Sequence, residues 1–269
     1  MADFTARDVK ELRKRTGAGI LDCRQALEEA DGDLDKAAQL LREQGKVSSS
    51  KRQGRDRTEG AVAVVVESEP GSASVGAIVS LECETDFVAK SAEFVQLVDE
   101  LAAELAVRGP GSLEEQRERV EKLAATFKEN VAIGRTVRFE APPESVLGSY
   151  LHLQNGRGVN AVLVELGGGS HELAHDIAVH IAFARPEYVR REEAPADLVE
   201  AERKTAEAIA RNEGKPEAAI PKIVEGRLNG WFKKTSLLEQ AYVRDEKRTI
   251  ADLLGEVELK RFAQVVVGS

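Results

Sequence analysis

The same strand–turn–strand–helix pattern occurs twice in this sequence, and it limits the fold more than any other feature. In the first copy, Ala61–Glu67 and Val75–Glu84 are rich in valine and isoleucine and are separated by Pro70-Gly71, which predicts a β-hairpin. Apolar residues then recur at three- and four-residue spacing over Ser91–Val107. This spacing predicts a helix whose apolar face covers the hairpin.

The second copy begins after Pro142-Pro143. Val146–Leu153 and Val159–Leu166 lie on either side of a glycine-containing turn, and residues 171–184 form another helical pattern with one apolar face. Ala77-Ile78-Val79 aligns with Ala161-Val162-Leu163 at an offset of 84 residues. The sequence therefore predicts an α+β core of two related β-β-α subdomains with antiparallel sheets.

Two helical segments lie outside these units. Breaks at residues 16–19 and at Asp31-Gly32 divide the N-terminus into three short helices. Two helices rich in alanine and charged residues, predicted over 196–213 and 217–229, indicate a solvent-exposed hairpin inserted into the second unit. The predicted division is a three-helix domain at 1–46, a linker at 47–58, a first subdomain at 59–142, a second subdomain at 143–185 and 231–269, and the inserted helical hairpin at 186–230.

Charge and cysteine content exclude several classes of protein. The chain of 269 residues has 38 Lys+Arg against 47 Asp+Glu, a formal charge of −9, so it has no general attraction to nucleic acid or anionic membranes. The linker carries cations but no interleaved aromatic residues to stack on bases, which favours a linker over a nucleic-acid-binding arm. Cys23 and Cys83 form no CxxC pair, which indicates reduced thiols in a cytoplasmic protein. No apolar run is long enough to span a membrane.

One string resembles a zinc site. His171-Glu172-Leu173-Ala174-His175 fits H-E-x-x-H, in which two histidines one helical turn apart bind zinc and the glutamate is a general base. However, Gly167–Ser170 places His171 in the exposed first turn of its helix, and the downstream glycine of the extended motif is absent. An amphipathic helix is therefore favoured. Phosphate-binding loops and nucleophile elbows are also absent from the sequence, so we predict a protein that is not an enzyme and has no cofactor or bound metal.

Thr85-Asp86-Phe87-Val88 lie where the second strand gives way to the helix. In a local interpretation, Thr85 or Asp86 caps a turn while Phe87 and Val88 close the core. In the other interpretation, the string is a wedge that faces a partner, because an aromatic residue on a rigid junction is an interface anchor worth roughly 2–4 kcal/mol. The residues alone favour the local interpretation.

Three strings carry a resemblance to a known family: TGAGILDCRQAL at 16–27, CETDFVAK at 83–90 and KIVEGRLNGWFKKTSLLEQ at 222–240. They resemble bacterial elongation factor Ts, the guanine-nucleotide exchange factor of elongation factor Tu, and the resemblance runs over essentially the whole chain. It implies a three-helix domain similar to ubiquitin-associated domains, a two-subdomain core and an inserted coiled-coil hairpin. It also implies a cytoplasmic translation factor that acts without covalent chemistry.

The resemblance also implies a site. Thr85, Asp86, Phe87 and Val88 match the family's TDFV motif, which implies that they insert between helices of the partner's GTPase domain. Insertion would dislodge Mg²⁺ and release GDP so that GTP can bind. Further contacts with elongation factor Tu are implied for Arg13, Ile20, Leu21, His152, Leu237 and Leu238.

The resemblance names elongation factor Tu, GDP-bound or nucleotide-free, as the partner, with no direct contact to nucleic acid or membrane. A homodimer or a two-to-two complex is left open. Two alternatives of other classes also stay open at this point. A ubiquitin-associated-like adaptor would carry its activity in residues 1–45 alone, and a zinc peptidase would contain stoichiometric zinc and depend on Glu172.

Overall fold

The computed structural model describes residues 4–16, 20–41, 55–68 and 72–268. At the N-terminus, α1 (Ala6–Thr16), α2 (Ile20–Glu29) and α3 (34–41) enclose a small core that includes Leu12 and Leu27. Thr5 caps α1, because its hydroxyl oxygen accepts from the Asp8 amide at 3.4 Å while Asp8 Oδ2 accepts from the Thr5 amide at 2.8 Å. The three predicted N-terminal helices are present.

The first half of the core is a three-stranded antiparallel sheet with helices on one face. The central strand is β2, and its neighbours are β1 and β3. The bounds are β1 (Glu59–Glu67), β2 (Ser74–Cys83), α4 (Asp86–Ala89), α5 (Ala92–Arg108), α6 (Gly111–Glu115), α7 (Arg117–Phe127) and β3 (Ala132–Ala141). The predicted hairpin and covering helix are confirmed, while the predicted turn residues Pro70-Gly71 lie outside the described residues.

The second half repeats this arrangement. Its central strand, β5, pairs with β4 and with a last strand, β8, which the chain reaches only after a long helical excursion. The bounds are β4 (Val146–Gln154), β5 (Arg157–Gly167), α8 (His171–Ala184), α9 (Ala196–Asn212), α10 (Ile220–Thr235), β6 (Ala241–Tyr242), β7 (Asp245–Thr249), α11 (Ile250–Leu254) and β8 (Glu258–Val266). The predicted helix at 171–184 has the observed bounds.

The two sheets pack face to face. Val62, Ile78 and Leu163 lie in the layer between them, whereas alternate residues of the same strands, such as Val79 and Val164, face α5 and α8 respectively. The order of layers is helix, sheet, sheet, helix. Both central strands are therefore buried on both faces, which explains their nearly continuous apolar sequence.

Helices α9 and α10 pack against each other around Ala206, Ala210 and Leu228. At the base of this pair, Arg191 donates to both carboxylate oxygens of Glu239, each at 2.6 Å, and its guanidinium lies 4.8 Å from the centre of the Phe232 ring. A paired, partly exposed hairpin agrees with the sequence prediction. The second helix, however, runs to Thr235 rather than to residue 229, because Leu228 and Phe232 continue its buried face.

Candidate functional site

The TDFV string forms a single helical turn inserted between β2 and α5. Strand β2 ends at Cys83, and Thr85 then caps α4, with its side-chain oxygen accepting from the Val88 amide at 3.5 Å. Ser91 begins the next helix, since its hydroxyl accepts from the Phe94 amide at 3.3 Å. Two consecutive caps therefore fix both ends of the turn.

Glu129 holds the start of this turn from the loop before β3. One of its oxygens accepts from the amides of Glu84 and Thr85, both at 3.1 Å. The other oxygen accepts from the Thr85 hydroxyl at 2.5 Å. Glu84 reciprocates by accepting from the Asn130 amide at 2.6 Å. A carboxylate that satisfies three donors makes the junction rigid.

Glu129 was not identified from the sequence. The signal for it is indirect: the preceding Lys128 adopts a left-handed conformation, with φ of 59°, at the end of α7. Such a conformation ordinarily favours glycine. Here it turns the chain so that Glu129 faces the TDFV turn.

Phe87 is exposed to solvent, whereas the two residues that follow it are buried. Its side chain is 83% exposed, whereas Val88 is 6% exposed and Ala89 is fully buried in the core under α5. Asp86 is half-buried and forms an ion pair with Lys90. The Lys90 ammonium, which donates a hydrogen bond to Asp86, holds the pKa of that carboxyl below its ordinary value. The turn thus presents an aromatic ring beside a stable negative charge.

The second half of the core contacts the junction between β2 and α4 through Arg157, the first residue of β5. Arg157 is largely buried, and its Nη2 donates to Glu59 Oε2 at 2.7 Å. Glu59 is paired in register with Cys83. The Cys83 thiol is shielded at this place, and burial raises its pKa to about 12. The β4–β5 turn and the TDFV turn therefore lie at the same end of the core.

The predicted N-terminal contact residues lie around the start of α2. Leu21 is 79% exposed, and Arg13 is exposed on α1. Ile20 begins α2, and its side chain lies outside the described residues. An exposed leucine beside polar residues is compatible with contact to a partner.

The remaining predicted contacts differ from one another in exposure. His152 is exposed on β4, and its Nδ1 lies 3.2 Å from the Tyr150 hydroxyl. Leu238 is half-buried. Leu237 is fully buried in the core beneath the second sheet, so the direct contact predicted for it is corrected: the side chain packs inside the subdomain and has no surface to offer.

The H-E-x-x-H string lies at the start of α8, against β4. His171 Nδ1 is 3.4 Å from the Leu147 carbonyl oxygen, and His175 Nδ1 is 2.8 Å from that of Ser149. Both rings are used to join helix and strand. Over residues 4–16, 20–41, 55–68 and 72–268, no group of three or more histidine, cysteine or acidic side chains is placed to hold a metal ion. Within the same ranges, no helix has the length and apolar character to cross a membrane.

Comparison with known proteins identifies the family. A family model described as elongation factor TS matches residues 84–269, which include the TDFV turn. The chain belongs to the elongation factor Ts family. Elongation factor Ts of Streptomyces griseus is 42% identical over an alignment of 283 positions, and that of Clavibacter michiganensis is 43% identical over 284 positions, gaps included. In both cases the alignment covers all of this chain and all of its relative.

Membership of the elongation factor Ts family confirms the function expected from the three strings. The chain is a translation elongation factor that acts in nucleotide exchange and is not an enzyme that makes or breaks covalent bonds. The adaptor and zinc-peptidase alternatives are not favoured.

Proposed function

We propose that this chain releases GDP from elongation factor Tu by inserting Phe87 as a wedge, with Thr85, Asp86 and Val88 shaping the turn that carries it. The supporting observation is that an aromatic side chain 83% exposed to solvent projects from a turn fixed by Glu129 on one side and by buried Val88 and Ala89 on the other. A rigidly held aromatic side chain loses little conformational entropy on docking.

The chemistry of release follows from the partner's metal. Mg²⁺ bridges the nucleotide phosphates to a GTPase, so displacing it removes a large part of the nucleotide's affinity. Thermodynamic linkage then requires that GDP weaken the binding of this chain by the same factor by which this chain weakens GDP. Incoming nucleotide therefore expels the exchange factor, which can act again on another GDP-bound molecule.

The wider assembly is also part of the proposal. Residues 1–46 act as a ubiquitin-associated-like domain whose Arg13, Ile20 and Leu21 contact elongation factor Tu.

The rest of the chain forms the core and its insertion. A linker at 47–58 joins the N-terminal domain to a first subdomain at 59–142 and to a second subdomain at 143–185 and 231–269. His152 and Leu238 supply further contacts from the second subdomain, and residues 186–230 form a coiled-coil insertion. The site of action is the cytoplasm, with elongation factor Tu in its GDP-bound and nucleotide-free states.

Stopped-flow release of a fluorescent GDP from elongation factor Tu tests this function. The full chain should accelerate release strongly when Mg²⁺ is present. The acceleration should shrink when Mg²⁺ is removed by a chelator, because the step that the wedge performs has then already occurred. Absence of acceleration by the full chain would contradict the function. Acceleration of equal size with and without Mg²⁺ would contradict the metal route.

A further inference from the structure

Arg157 is a buried cation with fewer hydrogen bonds than its guanidinium can make. It is 8% exposed, and its Nη2 donates to Glu59 Oε2 at 2.7 Å. Its Nε and Nη1 are buried and have no hydrogen-bond partner among the residues that the structure describes. A buried guanidinium with unpaired donors costs stability. Such a departure from a fully satisfied interior is typical of a position that is kept for its function.

The local sequence fixes the place of Arg157. Asn155 and Gly156, which link β4 to β5, both have positive φ, of 53° and 80°. A two-residue Asn-Gly turn of this kind holds a hairpin in one register. At the following Gly158, a Cβ would overlap the Val62 carbonyl oxygen, so glycine lets β5 approach β1 closely. The turn and this glycine together place Arg157 against the first half of the core.

Hydrogen bonds connect Arg157 to the TDFV turn. Its partner Glu59 is the first residue of β1 and is paired in register with Cys83, the last residue of β2. The Cys83 thiol donates to the Thr85 carbonyl oxygen, with Sγ 3.2 Å away. The same carbonyl accepts from the Ala89 amide at 3.2 Å inside the turn. The second half of the core is therefore joined to the conformation of the turn.

The charge of Arg157 also acts on the turn. The pKa of Asp86 lies below its ordinary value mainly because Lys90 donates a hydrogen bond to it, and the positive charge of Arg157 lowers this pKa further. Because Arg157 is buried, salt screens its attraction less than it screens a surface pair. Two separate links, one through hydrogen bonds and one through charge, thus run from Arg157 to the TDFV turn.

We infer that Arg157 is a positioning residue for nucleotide exchange, which holds the TDFV turn from the second half of the core in the conformation that presents Phe87. The inference rests on the proposed function. Since Arg157 is buried, it acts through the turn and not by contact with the partner. A turn held in its docking conformation loses less conformational entropy when the wedge inserts. Loss of Arg157 therefore lowers the rate of the release step.

Arg261 provides a matched control. It also joins the second half of the core to the first, because its Nη2 donates to the Glu140 carbonyl oxygen at 2.9 Å. Glu140 is paired with Val75, near the start of β2, whereas the TDFV turn follows the end of that strand. The Arg261 Nε donates to the buried Glu165 at 2.6 Å. Replacing Arg261 thus removes a comparable connection at the opposite end of β2.

The first measurement is the rate of GDP release from elongation factor Tu over a range of concentrations of the full chain. In Arg157→Met the maximal rate should fall about 5- to 10-fold, as expected for one charge-assisted hydrogen bond, while the half-saturating concentration stays within about twofold. Arg157→Lys keeps the charge and should recover part of the lost rate. Arg261→Met should reach the maximal rate of the unaltered chain.

Stability should change in the opposite order. Arg157→Met removes two unpaired buried donors and leaves only the partly exposed Glu59 without its partner, so the urea midpoint should stay the same or rise. Arg261→Met takes a partner from the buried Glu165, so its midpoint should fall. An exchange defect in Arg157→Met accompanied by a lower midpoint than that of Arg261→Met would show a general loss of structure and overturn the inference.

Amide hydrogen exchange reports on the turn without the partner. The Ala89 and Lys90 amides donate to the carbonyl oxygens of Thr85 and Asp86. Protection of these two amides should fall about tenfold in Arg157→Met and stay unchanged in Arg261→Met. Equal protection in Arg157→Met and the unaltered chain would overturn the inference.

The outcomes separate this inference from the proposed function. If the unaltered chain accelerates release and Arg157→Met reaches the same maximal rate, the exchange function stands and the positioning role is wrong. If Arg157→Met does not fold, a maximal rate of Arg157→Lys equal to that of the unaltered chain overturns the role. No acceleration by the unaltered chain overturns the exchange function, and the role of Arg157 in it, even if the amides of the turn lose protection.

Discussion

The two halves of the core have the same order of strands and helices but differently built strand–helix junctions. In the second half, Gly168 and Gly169 have φ of 96° and 86°, and Ser170 then caps α8 directly. In the first half, an additional helical turn lies between strand and helix, and Phe87 projects from it. The first junction thus presents an exposed aromatic side chain, while the strands and helices around it keep the same order as in the second half.

The junction between β2 and α5 and the junction between β5 and α8 lie at opposite ends of the core. The bond from Arg157 to Glu59 places the start of β5 beside the end of β2. This end of the core therefore combines the strand–helix junction of the first half with the β4–β5 turn and the end of α8 from the second. Because the two halves run in opposite directions, this end of the protein carries a strand–helix junction from one half and a strand–strand turn from the other.

The largest expected difference between the halves is in how much stability each loses when a methyl group is added at a buried glycine. In Gly148→Ala the new Cβ would lie 2.5 Å from Ala174 Cβ and 2.6 Å from the Ala174 carbonyl carbon. Because backbone of α8 blocks it, we expect a loss of about 3 kcal/mol in the free energy of unfolding. In Gly76→Ala the Cβ would meet Leu163 Cδ1 at 2.7 Å, which is the end of a side chain rather than backbone, so a smaller loss of about 1 kcal/mol is expected. Urea unfolding of both variants measures the difference; equal losses would contradict it.

Acid should weaken the second half through His180. This buried side chain lies with Nε2 2.9 Å from Gln240 Oε1, and its Nδ1 accepts from the Val243 amide at 3.3 Å. Burial lowers its pKa below the ordinary value of 6.5. The unfolded chain then binds the proton more readily, so stability is complete above about pH 6.5 and declines below it, by at most about 1.4 kcal/mol per pH unit.

Unfolding free energies between pH 7.5 and 5.5 test this slope. In His180→Gln the contribution of this group to the slope should disappear, while the contribution of carboxylates remains in both proteins. An identical pH dependence in the two proteins would show that His180 is not the titrating group.

The smallest expected effect distinguishes Thr85, the N-cap of α4, from Ser170, the N-cap of α8. Thr85→Ala and Ser170→Ala each remove a helix N-cap worth about 1 kcal/mol of stability, and Thr85→Ala removes a second hydrogen bond as well. Only Thr85 also donates to Glu129, so only Thr85→Ala should slow GDP release, by about fivefold for a bond worth about 1 kcal/mol. Equal exchange activity in both variants would show that the rigidity of the turn is unimportant.

Local sequence patterns predicted most elements but not their assembly. Strands such as Ala77-Ile78-Val79 and the helix 171–184 are recognisable because chemical type and spacing are local properties. The short strand β7 was missed, since four of the five residues of Asp245–Thr249 are charged and the strand is recognised from its pairing with β6. The face-to-face packing of the sheets depends on residues distant in sequence, such as Val62 and Leu163.

For the candidate site, too, the sequence identified the local element but not how the folded chain surrounds it. The TDFV string identified the turn, but the local interpretation of the residues was wrong for Phe87, which is exposed rather than part of the core. Glu129 was missed, because a supporting carboxylate from a distant loop is recognised only when the chain is folded. Leu237 was predicted as a contact from a motif, whereas its burial comes from tertiary packing.

The most direct test of the account is the maximal rate of GDP release from elongation factor Tu at saturating Phe87→Ala. We expect a decrease of about 30-fold or more, the loss of an anchor worth at least about 2 kcal/mol. Val107→Ala, an exposed valine at the other end of the core, should keep the rate of the unaltered chain. A folded Phe87→Ala variant that reaches the unaltered maximal rate would contradict the wedge.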